Sequence, residues 1–219
     1  MVIIMSMSSY VVNAYEVLEK STDKDELLNV VKLYPVTIRL VKEEFKTEEF
    51  LLEACNRNGN VLEYITNPTY EMQLAAVKQN GHVLRFISNR NEELCIEAVK
   101  QNGYVLEYIT NPTYEMQLAA IKRNGTAIKY ITNPTEELCF EAIRQDGYAI
   151  KYIKNPTYEM QLEAVKQNGY YIKYIKNPSE EVKMEAVRQN GYAINFIKNP
   201  NQELIDTAIK ETKFVAYFL

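Results

Sequence analysis

"NPTYEMQLAAVKQNG" occupies Asn67–Gly81, and the chain writes it twice more, as "NPTYEMQLAAIKRNG" at 111–125 and "NPTYEMQLEAVKQNG" at 155–169. Between these copies lie related phrases at 89, 133 and 177, so a 44-residue echo contains a 22-residue beat. All seven glycines keep that beat: Gly59, Gly81, Gly103, Gly125, Gly147, Gly169 and Gly191. Asn-Pro pairs begin at 67, 111, 133, 155, 177 and 199, with Asn89-Arg90 as the one lapse. Chance does not place every glycine in register. The chain is a tandem array, and periods of this size mean stacked supersecondary repeats.

Each position of the repeat has a physical task. Two residues after the Asn of Asn-Pro stands a helix N-cap: Thr47, Thr69, Asn91, Thr113, Thr135, Thr157, Ser179 or Asn201. Such side chains accept a hydrogen bond from an orphan amide of the first helical turn. Two residues further comes a column of glutamates, from Glu49 and Glu71 to Glu203, suited to the positive end of the helix dipole. Lys or Arg occupies the last turn, as at Lys78, Lys100 and Arg144. The glycine that follows is read as a left-handed helix stop. The pattern predicts an α-helix of about three turns in every repeat.

After each glycine comes "YVLEYI" or a relative, as at 104–109. Its apolar spacing suits one or two helical turns, in part 3₁₀, whereas its Tyr, Val and Ile content suits a short β-strand. Neither element encloses a core alone, so the repeats must stack. The expected fold is an all-α, right-handed α-solenoid of 22-residue helix–turn–short-helix repeats with degenerate capping units. Residues 1–44 form an N-terminal helical cap with one degenerate repeat, in which Pro35 replaces the glycine and 8–20 add a helix. Residues 45–198 form seven repeats, and 199–219 a C-terminal capping repeat with Lys213 at the glycine position, all in one continuous domain.

Composition excludes several functions. The hydrophobic fraction is 47% and the net charge −4, so no global basic field draws nucleic acid or an anionic membrane. The charge is uneven, however. Residues 1–110 carry 11 Lys+Arg against 16 Asp+Glu, net −5, and residues 111–219 carry 14 against 13, net +1. Cys55, Cys95 and Cys139 are sparse and lack CxxC spacing, which points to a reducing, cytoplasmic setting without disulfides or a structural metal. The opening "MVIIM" is too short for a signal peptide, and no apolar run is long enough for a membrane span. His82 is the sole histidine and has no Cys or His beside it to make a metal site or a catalytic triad. No catalytic residue, metal or cofactor is expected.

The columns divide into core and surface. Met72, Leu74, Ala76, Val77, Leu84, Phe86, Ile87 and their equivalents are read as core, the unbroken alanine column letting helices approach closely. Gln73, Gln117 and Gln161 alternate with Cys95 and Cys139 inside that arc. They are read as inter-repeat positions with their amides satisfied by neighbouring backbone, the alternative being a ligand-lined channel. One stripe on the second segment drifts instead of repeating. It runs Asn60/Glu63, His82/Arg85, Tyr104/Glu107 and Thr126/Lys129 to Tyr148/Lys151, Tyr170/Lys173 and Tyr192/Asn195. The repeat-ending residue drifts too, from Thr66, Ser88, Thr110 and Thr132 to Lys154, Lys176 and Lys198. Either these tyrosines cover the edge of the core with Lys for solubility, or Tyr148, Lys151, Lys154, Tyr170, Lys173, Lys176, Tyr192 and Lys198 form a partner-binding surface.

The stretch "EAVKQNGYVLEYI", Glu97–Ile109, resembles a short tandem repeat known as a domain of unknown function in large DNA viruses of amoebae, protists and some intracellular bacteria. The resemblance covers about residues 45–198 and departs from the pattern in the caps and at Asn89-Arg90. It implies a helical repeat protein, viral in origin, with no catalytic residues to carry over. The functional expectation is a non-enzymatic scaffold that binds a host or viral protein. The alternative is nucleic-acid or nucleotide binding along the Tyr/Lys stripe.

Overall fold

The computed structural model describes residues 14–212, and Cα packing divides the chain into two compact units, Met1–Tyr108 and Ile109–Leu219. The fold is all-α and built from tandem helix–3₁₀ repeats, with no strand among the described residues. In the N-terminal unit, helix α1 covers 14–20 and α2 covers Lys24–Leu33, followed by α3 (Glu48–Arg57), α4 (Tyr70–Gln79) and α5 (Glu92–Gln101). The C-terminal unit holds α6 (Tyr114–Arg123), α7 (Glu136–Gln145), α8 (Tyr158–Gln167), α9 (Glu180–Gln189) and α10 (Gln202–Glu211). From α3 to α10 every helix has ten residues and begins 22 after the last. The expected helix at 8–20 is present over 14–20, while 8–13 and Lys213–Leu219 lie outside the described residues.

The caps behave as their side chains dictate. Thr47, Thr69, Asn91, Thr113, Thr135, Thr157, Ser179 and Asn201 each accept from the amide three residues on, at 2.9–3.3 Å. Each is worth about 1 kcal/mol to its helix. The second segment is 3₁₀ helix in every repeat, as in Gly59–Tyr64, Gly147–Tyr152 and Gly169–Tyr174, which settles the choice against a strand. Its N-cap is the Asn of Asn-Gly. Asn80, extended at φ −149°, ends α4 with its backbone and starts the next segment with its side chain, which accepts from His82 N at 3.1 Å. Asp146 does the same for Tyr148.

The glycines are not left-handed, contrary to the sequence reading: none has a positive φ. That conformation falls instead to Asn67, Asn111, Asn133, Asn177 and Asn199, at φ 51–54°, where asparagine is among the few tolerant side chains. The glycines serve close approach. A Cβ on Gly59 would sit 2.4 Å from Ala76 O, and one on Gly169 would sit 2.2 Å from Ala186 O. Gly59, Gly81, Gly125, Gly169 and Gly191 thus rest on the alanine carbonyl of the next helix, whereas Gly147 faces the Gln167 and Tyr171 side chains. Both columns must be small for the same reason.

Buried beside them are Met72, Val77, Leu84 and their counterparts in later repeats. Two columns taken as core lie further out. Leu74, Ile96, Leu118, Phe140, Leu162 and Met184 are half-buried along the seams between helices. In the Phe86 column, Tyr152 and Phe196 are exposed and Tyr64, Phe86, Tyr108, Tyr130 and Tyr174 half-buried. A tyrosine hydroxyl needs a partner or water, which suits the five tyrosines of that column to the surface, and Phe196 at 44% exposure shows that the position itself lies at the rim. Gln73, Gln117 and Gln161 donate to Pro68 O, Pro112 O and Pro156 O at 2.9–3.0 Å, so their amides are satisfied by nearby backbone. All three cysteines are free and buried, and burial pushes the Cys55 thiol up to about 12.

Candidate functional site

On the rim of the C-terminal unit the 3₁₀ segments and the Asn-Pro turns line up, one of each per repeat. The backbone entering each turn is nearly the same: Ile153, Ile175 and Ile197 all lie at φ −95 to −100° and ψ 120°. Side chains at equivalent positions therefore recur in equivalent places, and what differs between repeats is chemistry alone.

The structure sorts the eight candidate residues into two groups. Tyr148, Lys151, Tyr170 and Lys173 are tied into the rim. The Tyr148 ring meets Tyr152, Tyr171 and Tyr174 edge-on, with centroids 6.0, 5.9 and 5.3 Å away. Lys151 Nζ donates to Tyr148 Oη at 2.8 Å and lies over the Tyr148, Tyr152 and Tyr174 rings. That hydrogen-bonded ammonium lowers the Tyr148 pKa below the usual phenol range, with the Tyr174 hydroxyl adding to the effect, and raises its own. Tyr170 packs on Phe196 at 5.8 Å, and Lys173 lies over Tyr174 and Phe196. Tyr148 and Tyr170 are half-buried, less open than the stripe suggested, while Tyr192 is exposed.

The rule is a ladder. The residue after glycine sets its ring against the last aromatic of the next 3₁₀ segment, as Tyr148–Tyr174 and Tyr170–Phe196 do, and as His82–Tyr108 does in the N-terminal unit at 6.3 Å. His82 is a rung of that ladder, with Nε2 2.6 Å from Asn102 Nδ2.

Lys154, Lys176 and Lys198 form the second group. All three are exposed, and none takes part in an ion pair or ring contact among the described residues. Lys154 and Lys176 flank a cleft of about 530 Å³ together with Lys151, Tyr152, Tyr174 and Gln161. No carboxylate lines it. On the helix side of the same unit the balance reverses, where a groove of about 450 Å³ gathers Glu180, Glu181, Glu185 and Glu203 against Lys166 and Arg188.

Tyr152, Tyr174, Phe196 and Tyr171 are site residues that the sequence reading missed, the first three because their column was assigned to the core. The recurring hydroxyl in that column was the available signal. Tyr171 breaks a column that is otherwise Val or Ala and buried (Val61, Val83, Val105, Ala127, Ala149, Ala193). Burial raises its phenol pKa, and the Asp146 carboxylate adds to the rise.

A second set of contacts explains the 44-residue echo. Tyr158, the first residue of α8, donates to Glu181 of α9 at 2.6 Å, and Tyr70–Glu93 and Tyr114–Glu137 repeat the bond. At the same two positions of α2 and α3, Lys24 pairs with Glu49 at 2.6 Å. Even-numbered helices α2, α4, α6 and α8 carry this donor, whereas α5, α7 and α9 begin with glutamate. Helices are thereby tied in pairs.

Among the described residues no helix is long and apolar enough to cross a membrane, and no three His, Cys, Asp or Glu side chains group so as to hold a metal ion. No curated protein and no solved structure matches the chain. Residues 23–68, 69–112, 113–156 and 157–205 each match one family model, and each match holds one tied pair of helices. The chain therefore belongs to the family described as Domain of unknown function (DUF4116), present here in four consecutive copies.

Proposed function

We propose that the protein is a non-enzymatic scaffold whose C-terminal unit binds another protein along the row of Asn-Pro turns. The observation that carries this is the cleft bearing Lys151, Lys154 and Lys176 beside the Tyr152 and Tyr174 rings, with no carboxylate on its walls. Protein interfaces select rigid aromatic area, since tyrosine adds contact at small entropic cost, and the exposed Lys154 and Lys176 add charge that an acidic partner would complement. Tyr148, Tyr170, Lys151 and Lys173 build the platform, and Tyr192, Lys154, Lys176 and Lys198 face the partner. The resemblance to viral repeats extends the proposal to a host or viral partner met in the cytoplasm.

Nucleic-acid or nucleotide binding is the second reading, favoured by rings and lysines sharing one cleft. Against it stands the charge. A chain of net −4, with only +1 on residues 111–219, lacks the long-range field that phosphate binding exploits.

The test is capture from cell lysate by the immobilised full chain and by its Lys154→Glu/Lys176→Glu/Lys198→Glu variant. Retention by the parent chain that survives nuclease and is lost in the folded variant is the expected result. Equal retention by both moves the site elsewhere. Retention abolished by nuclease, with steep weakening as salt rises, replaces the protein reading by the nucleic-acid one.

A further inference from the structure

We infer that the turn row recognises an acidic segment in polyproline-II conformation, with one carboxylate at every third residue. This rests on the protein-scaffold reading and names the chemistry of the partner.

The repeat and a polyproline-II segment have matching periods. Lys154, Lys176 and Lys198 occupy one position in three successive repeats, just after residues of nearly identical backbone geometry. The helices of these repeats pack side by side, so successive lysines advance by roughly 8–10 Å, the usual interaxial distance. A polyproline-II segment has three residues per turn and advances about 9 Å per turn, with residues i and i+3 on one side. One turn of such a segment therefore spans one repeat. A β-strand does not fit as well, because its side chains alternate between faces every residue.

The charges and rings agree with that geometry. The three lysines are exposed and unpaired among the described residues, unlike Lys151 and Lys173, whose ammonium groups lie over aromatic rings. Beside them each repeat supplies one aromatic residue, Tyr152, Tyr174 or Phe196, of which Tyr152 and Phe196 are exposed at 36% and 44%. Aromatic-lined grooves dock polyproline-II ligands because the segment is already extended and loses little entropy on binding. No carboxylate lines the cleft between Lys154 and Lys176, and Glu136 is the one carboxylate in the adjoining cleft that shares Tyr152 and Lys154.

Fluorescence anisotropy with labelled peptides tests this on the full chain. The probes are a Glu-Pro-Pro repeat, a peptide of equal composition with its glutamates contiguous, and a Glu-Gly-Gly repeat. An oligothymidine of similar charge serves as the nucleic-acid probe. The Glu-Pro-Pro repeat should bind about tenfold more tightly than either other peptide, as expected for three exposed ion pairs held in register. Lys154→Ala, Lys176→Ala and Lys198→Ala should each weaken it several-fold, and the triple variant should abolish it with the helical circular dichroism unchanged. Equal binding of all three peptides overturns the register while leaving an acidic protein partner. No peptide binding, with lysate protein still captured, overturns the acidic segment alone. Preference for the oligonucleotide overturns the protein reading itself.

Discussion

The rims of the two units carry the same backbone and different chemistry, mixed in charge in the N-terminal unit and rich in lysine in the C-terminal one. In the N-terminal unit the positions three and six after glycine's neighbour read Glu63 and Thr66, then Arg85 and Ser88. In the C-terminal unit they read Lys151 and Lys154, then Lys173 and Lys176. The N-terminal unit ties α2 to α3 with ion pairs, Lys24–Glu49 at 2.6 Å and Arg57–Asp25 at 2.6 Å. The C-terminal unit ties neighbouring repeats with rings, a cluster of four tyrosines of which three lie under Lys151. Exposed ion pairs contribute little, and packed aromatic pairs contribute about 0.5–1.5 kcal/mol each. Buried columns are common to both units because every repeat meets the same neighbour. Exposed rim positions such as Lys154 and Lys176 carry no such packing constraint, so they are free to diverge, and the proposed partner surface rests on that divergence.

Substitutions in the frame shared by both units should cost the most. Gly59→Ala in one unit and Gly169→Ala in the other force a Cβ within 2.4 and 2.2 Å of an alanine carbonyl. Both should lose about 2–3 kcal/mol in denaturant melts, the upper end of overpacking costs. Gly147→Ala should lose only about 1 kcal/mol, since its Cβ meets side chains, Gln167 Oε1 at 2.9 Å and the Tyr171 ring at 3.0 Å, which can move. A large inequality between Gly59→Ala and Gly169→Ala would end the claim of a common frame.

A milder change sharpens the contrast. Tyr171→Ala restores the small residue found at Ala149 and Ala193 and removes the edge contact with Tyr148 at 5.9 Å. The expected cost is about 0.5–1.5 kcal/mol by thermal melt. No loss would mean that the ring cluster is not a structural platform.

The smallest effect is in titration. Hydrogen bonds to Glu93, Glu137 and Glu181 raise the pKa of Tyr70, Tyr114 and Tyr158, whereas the Lys151 ammonium lowers that of Tyr148. A raised phenol pKa means that the neutral, hydrogen-bonded form is favoured in the folded chain. Its contribution is complete below the ordinary value of about 10 and disappears as pH climbs through the raised one. Tyr148 has the opposite sign, its contribution growing above its lowered value. Ultraviolet titration should show Tyr148 ionising before the three helix-tying tyrosines, and Tyr148→Phe should remove the earliest step. Simultaneous ionisation would contradict both sets of contacts.

Periodicity made the helices, their caps and the repeat legible, because N-caps, dipole-matched charges and apolar spacing act within one repeat. Thr69 caps α4 wherever α4 packs. The sequence also exposed the drift of the rim, since invariant columns make a varying one visible. It could not decide what happens between repeats. Gly59 looks like a helix stop until the Ala76 carbonyl is found beside it, and Tyr152 looks apolar until its exposure is seen. Lys151 and Lys154 are indistinguishable as letters, yet one lies on three rings and the other is unpaired. Local interactions are written in neighbouring residues and can be read there. Contacts between residues some 20 apart depend on how the repeats stack, and that was decided only by tertiary packing.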